Sequence, residues 1–307
     1  MRHHPSSGPR FDRRLVAGLL LLTMACLLAT MPFCLMLINQ RAASTVSESH
    51  SQAVGLLRES ETRGELDSAH EYNRRLFSDG STVLGEAVDP WSGSPSSVSE
   101  QDDAYQSQLD SPADGIMATI SYPRLGIDLP VRHGTSSSVL AAGAGHLYGT
   151  SLPVGGNSTH SVISAHSGLA DQLMFDRLSL RQGRIGDVFY IKVAGRTLAY
   201  KVTSIEVIDP GDFTRFAIVK GHDQVTLLTC TPYGVNNKRL LVTGERASMP
   251  VQAPEPKDAP GDDSGIWIIV WIMAVWLASM TAAFKAVCSH IRPGGVRRAV
   301  RGQHLMH

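Results

Sequence analysis

The chain has 307 residues, 28 basic and 28 acidic, for a formal net charge of zero. That length allows one or two domains with a sizeable core. The charge balance, with no long basic or acidic block in the middle, argues against non-specific nucleic-acid binding, which needs positive charge against phosphate.

Residues 1–14 end in the basic cluster Arg10, Arg13 and Arg14, read as a cytoplasmic N-terminus. Leu15 to Ile38 then runs for 24 positions without a charge, long enough to cross a hydrocarbon core needing about 20 apolar residues. A cleaved signal peptide is the alternative. Its apolar run would be shorter, about 7–15 residues, and Pro32 and Phe33 interrupt a clean cleavage signal. A second apolar run, Ile266 to Phe284, carries three tryptophans, and a membrane helix is expected over 266–287. Lys285, Arg292, Arg297, Arg298 and Arg301 follow it, so residues 288–307 form a basic tail. With both flanks basic, both termini are expected in the cytoplasm and residues 39–265 outside it, a two-pass arrangement in a lipid bilayer.

Within the outer segment, 39–78 is polar with apolar positions at helical spacing. Leu66, Ala69, Asn73 and Leu76 mark one face, predicting one or two amphipathic helices against the main domain. Residues 79–112 are rich in Ser, Gly, Asp and Pro and read as a loop. Inside it "VDPWSGS" places Asp89, Pro90 and Trp91 together, and a lone Trp there serves at least as an anchor.

From 113 to 248 the pattern turns to β, with short runs such as "GIMATISYP", "HSVISAHS", "QVTLLTC" and "RLLVTGER" between Gly, Pro, Asn and Asp. "VFYIKV-AG-RTLAYKV" predicts a hairpin turning at Ala194-Gly195. A closed or nearly closed β-barrel fits best. Residues 249–265, rich in Pro and Asp, read as a semi-extended linker.

Cys230 closes the run "VTLLTC", with Pro232 and Gly234 starting a turn behind it. The outer segment has no second cysteine for a disulfide, and no C-x-x-C or H-x-x-x-H spacing suggests a metal site. Cys230 is then either a small buried hydrophobe or a nucleophile at a strand end. A nucleophile needs a base or charge partner. His166 also ends an apolar run, "SVISAH", before a turn, whereas His133 and His146 sit in Gly-rich loops where a structural hydrogen bond is the default. Arg239 follows Cys230 by nine residues across "TPYGVNNK" and returns close to it if the two runs form a hairpin. A guanidinium there would hydrogen-bond an oxyanion, although a solvated turn charge, as for Lys238, is the simpler alternative. Asn157-Ser158-Thr159 matches a glycosylation sequon but reads more simply as a turn.

"TLLTCTPYGVNNKRLLVTGER", "GTSLPVGGNSTHSVISAHSGL" and "VRHGTSSSVLAAGAGHLYGTSLP", with the "DPW" motif upstream, closely resemble class C sortases, the pilin-polymerising cysteine transpeptidases of Gram-positive bacteria. The resemblance covers roughly 72–246 and implies a mainly β fold, an eight-stranded sortase-type barrel with N-terminal helices and a lid loop, flanked by two transmembrane helices. It implies Cys230 as nucleophile, His166 as proton-transfer partner and Arg239 as oxyanion or substrate stabiliser. Trp91 would lie over the cysteine, Asp89 would pair with the arginine, and Thr229 and Ser167 would border the substrate. No cofactor or metal is implied. The implied partners are pilins bearing an LPXTG-like sorting signal and the lysine of a neighbouring pilin. Ser167 departs from the arginine that many relatives carry after the histidine. A hydrolytic peptidase, a cell-wall-anchoring enzyme and a peptide-binding barrel without turnover remain as rivals.

Overall fold

The computed structural model describes residues 13–80, 98–167 and 174–291. Two compact units divide the chain: one takes in residues 1–34 and 264–307, the other Leu35–Asp263. In the first, the described residues form the start of α1 (Arg13–Leu56) and α6 (Ser264–Ile291), both long and apolar enough to cross a membrane. The rings of Phe33 and Trp271 meet there at 4.9 Å.

The second unit is built on a closed barrel. Its strands are β1 (Ala118–Tyr122), β2 (Ile127–His133), β3 (Ala144–His146), β4 (Thr159–Ser164), β5 (Val188–Val193), β6 (Arg196–Ile208), β7 (Asp223–Thr231) and β8 (Lys238–Ala247). They close in the order β1-β2-β3-β4-β7-β8-β6-β5. Most neighbours are antiparallel, but β2–β3 and β4–β7 run parallel and need long crossovers. Alternation sorts β7 cleanly: Val225 and Leu227 enter the barrel core with Ile120, Ile163 and Leu240, while Leu228 joins Val162, Leu241, Ile208 and Phe216 on the outer side.

The predicted hairpin forms. Val193 pairs with Arg196, and Ala194 and Gly195 take φ of 42° and 74°, the left-handed pair that a two-residue turn between twisted strands requires.

Helices cover the barrel. α2 (Glu59–Ser78) buries Leu66, Ala69 and Asn73, and Asn73 both donates to the Leu152 carbonyl (3.0 Å) and accepts from the Leu152 amide (2.7 Å). α1 extends past Ile38, and its Gln40 donates to the Gly126 carbonyl at 2.7 Å. The remaining helices are short: α3 (Asp103–Gln106), α4 (Ser137–Ala142) and α5 (Asp176–Ser179).

Several local expectations change. The 79–112 stretch, read as loop, includes α3 and a 3-10 turn at Val98–Gln101, because fully buried Tyr105 gives this polar segment an anchor. His133 and His146 are the last residues of β2 and β3 rather than loop residues; β3, three residues long among glycines, has no periodicity to reveal it. The 249–265 linker is not a free tether over its first part. Ala253 is buried against Tyr190, Ala199 and Ala247, and the Tyr190 hydroxyl donates to the Pro254 carbonyl at 2.9 Å.

Candidate active site

Strand register assembles the three residues that the sequence singles out. In the antiparallel β7–β8 pair, Cys230 lies directly opposite Arg239. In the parallel β4–β7 pair, Ser164 lies opposite Leu228, and the chain continues past β4 with the Ala165 amide donating to the Leu228 carbonyl at 3.2 Å. Two residues further on each chain come His166 and Cys230. His166, Cys230 and Arg239 therefore stand in one row across three neighbouring chains, at one end of the barrel. Cys230 shares its pleat side with Leu228, and Arg239 with Leu241. The row thus stands on the outer side of the sheet, beside the apolar floor of Leu228, Leu241, Ile208 and Phe216.

Burial differs along the row. His166 and Arg239 are 6% and 8% exposed, whereas Cys230 is half-buried. Arg239 is no solvated turn charge: its Nη1 donates to the carbonyls of Asn236 and Lys238, both at 3.1 Å. Those bonds fix the guanidinium while leaving further donors. Lys238 instead pairs with Asp209 at 2.5 Å. The intervening turn closes on itself, with the amides of Val235 and Asn236 donating to the Pro232 carbonyl.

Backbone around the thiol is tightly specified. The Cys230 carbonyl accepts two side-chain hydrogen bonds, from Ser167 Oγ and Ser179 Oγ, each 2.8 Å. Thr229 is buried, and its hydroxyl donates to the Ala165 carbonyl at 2.9 Å. Ser167 and Thr229, expected beside the substrate, thus spend their hydroxyls on holding β7 to the chain after β4. Asp89, Pro90 and Trp91 lie outside the described residues. Ser179 carries no sequence signal, since its contact depends on where α5 packs.

Three other histidines of the barrel have other employment. Buried His146 donates from Nε2 to the Ser151 carbonyl (2.8 Å), so its Nδ1 accepts the Tyr105 hydroxyl (2.9 Å). Burial lowers its pKa to about 4, the Ser151 carbonyl only partly opposing the shift. His133 and His160 are likewise shifted down by burial. Both are committed, His133 to the Gln108 carbonyl and His160 to the Thr226 hydroxyl and the Ala217 carbonyl. They are structural groups, as the Gly-rich setting of His133 and His146 suggests. Among the described histidines, His166 alone stands in the row with the thiol.

A thiol with an imidazole and a guanidinium in one row can attack a carbonyl, move a proton and hold an oxyanion. The model of the sortase domain matches residues 120–247. Among solved structures, sortase C-1 from Actinomyces oris is 47% identical, with 61% of this chain and 99% of that chain covered and a TM-score of 0.54. A pilus-related sortase C of Group B Streptococcus is 39% identical over 64% of this chain and 95% of that one, with a TM-score of 0.55. Sortase A of Bacillus anthracis is 26% identical over 132 residues, 42% of this chain and 59% of the relative's own length.

Proposed function

This chain belongs to the sortase family, with class C sortases as its structural neighbours, and on that premise we propose a membrane-anchored cysteine transpeptidase that joins pilins. The observation that carries the reading is the row His166–Cys230–Arg239, with Cys230 and Arg239 in direct cross-strand register.

Cys230 attacks the threonine carbonyl of an LPXTG-like sorting signal on a secreted pilin. Arg239 receives the developing oxyanion, and its buried, carbonyl-braced guanidinium needs little reorganisation to do so. His166 protonates the departing amine, leaving a thioacyl-enzyme. The apolar floor of Leu228, Leu241, Ile208 and Phe216 supports the Leu-Pro part of the signal. A lysine amine of a neighbouring pilin then attacks the thioester and forms an isopeptide bond. That amine has an ordinary pKa near ~10.4, so His166 must take its proton, or local desolvation must favour the neutral form.

Water competes for the thioacyl-enzyme. A lid carried by Asp89, Pro90 and Trp91, with Asp89 on Arg239 and Trp91 over Cys230, would limit that loss. Trp91→Ala is then expected to speed alkylation of Cys230 several-fold, and an unchanged rate would remove the lid. Anchoring through α1 and α6, with both termini cytoplasmic and the barrel outside, would keep the thiol where pilins emerge and raise encounter frequency.

Intact-mass measurement with an LPXTG-type peptide tests the covalent step. The protein should gain the acyl fragment, and Cys230→Ala should not. A wild-type protein that cleaves the peptide without a Cys230 adduct would overturn the reading.

A further inference from the structure

The short helix α5 touches the backbone of both reactive residues. The Phe175 amide, at its N-cap, donates to the His166 carbonyl at 2.9 Å, and Ser179 Oγ donates to the Cys230 carbonyl at 2.8 Å. Burial first, and then the neighbouring Asp176 carboxylate, raise the pKa of Tyr233 in the turn that follows Cys230. Phe175 and Leu178 are fully buried in the barrel core, so the helix is seated from one side.

Its other side is held by the tail. Arg177 Nη1 meets Asp262 Oδ1 at 2.6 Å, with the two side chains only 15% and 13% exposed. Asp262 in turn has a shaped place: a Cβ on Gly126, which sits at φ +58°, would come within 2.8 Å of Asp262 Oδ2 and 2.9 Å of Gln40 Nε2. Asp262 lies two residues before α6 begins at Ser264.

We propose that Arg177 and Asp262 are positioning residues: the tail leading into α6 holds α5 in the orientation that sets the Cys230 and His166 backbones. The docked tail is then part of the active site's scaffold as well as a link to a membrane helix. A four-residue helix cannot keep its own orientation, because it has hardly one turn of internal hydrogen bonds. Something outside it must supply that, and the ion pair does so at the face opposite the core. The proposal rests on the role of Cys230 given above, but its test does not require turnover.

The test uses the full chain in detergent micelles, following alkylation of the Cys230 peptide by mass so that Cys26, Cys34 and Cys288 do not interfere. Asp262→Asn should slow alkylation about tenfold, the scale on which small misplacements act on reactivity. The charge swap Arg177→Asp with Asp262→Arg should recover most of the loss. Gly126→Ala, which displaces the carboxylate without removing it, should behave like Asp262→Asn. With LPXTG-type peptide, acylation at saturation should fall while the half-saturating concentration stays put. Tyr190→Phe, which loosens the tail at Pro254 but leaves the ion pair intact, should leave alkylation at the wild-type rate. A wild-type alkylation rate in Asp262→Asn would overturn the proposal, and so would equal slowing in Tyr190→Phe. If wild type takes no acyl group at all, the transpeptidase reading fails while the alkylation series still decides this one.

Discussion

Protonation at a buried histidine is set by what its nitrogens face. His146 faces a carbonyl at Nε2 and a hydroxyl donor at Nδ1, so the neutral ring satisfies both partners, whereas a second proton keeps the carbonyl bond but takes the Nδ1 lone pair that accepts the Tyr105 hydroxyl. Its folded pKa of about 4 lies below the ordinary value near ~6.5. The unfolded chain therefore takes the proton first. The resulting stability is fully present above about pH 6.5 and is lost as pH falls toward 4, amounting to roughly 3 kcal/mol for this group alone. Melting temperature should fall steeply between pH 6.5 and 4.5. His146→Gln should be less stable at pH 7.5 yet show a shallower acid slope; an equally steep slope would assign the acid loss elsewhere. Arg239 makes the second prediction at this scale. Arg239→Lys keeps the charge but loses the planar fork, and acylation should drop about 10²-fold with the fold intact. Wild-type acylation rates in that variant would remove Arg239 from the chemistry.

Secondary-structure elements divide into those that local sequence specifies and those that only packing creates. The β5–β6 hairpin was readable because its turn residues and alternation are contiguous. The return of Arg239 to Cys230 was readable for the same reason, as β7 and β8 are joined by a short turn. The parallel pairing of β4 with β7, which brings His166 into the row, spans more than sixty positions and leaves no local mark. β3 and α5 are too short for periodicity, and the docking of the tail depends on Ala253 finding a site on β5, β6 and β8. Close packing also gives one glycine a role that no pattern announces. A Cβ on Gly244 of β8 would lie 2.7 and 2.9 Å from Phe189 ring atoms and 3.1 Å from Tyr200 Cβ, where these two fully buried rings stack. Gly244→Ala should cost about 1–3 kcal/mol by overpacking, seen as a lower unfolding midpoint in denaturant. An unchanged midpoint would show that the stacked rings yield freely.

At the scale of the whole molecule, the chain couples a closed barrel to two apolar helices. Composition and charge already pointed to that organisation, since two uncharged runs with basic flanks bracket a β-rich segment. The candidate site was legible as residue types at strand ends; the family resemblance implies Cys230 as nucleophile, and the strand register sets it opposite Arg239. Sequence did not show that the site's backbone is braced by Ser167 and Ser179, because those contacts come from segments distant in the chain. Nor did it show that the linker is seated on the barrel down to Pro254 and again at Asp262. On the proposed function, two membrane anchors and a braced thiol would suit an enzyme that holds an acylated intermediate while awaiting a second protein at a surface. The most direct measurement offers the protein an LPXTG-type peptide together with a lysine-bearing pilin fragment, beside a Cys230→Ala control, and weighs the products. An isopeptide-linked adduct that depends on Cys230 is the predicted result. Cleavage without joining, or an adduct that survives loss of Cys230, would contradict the account.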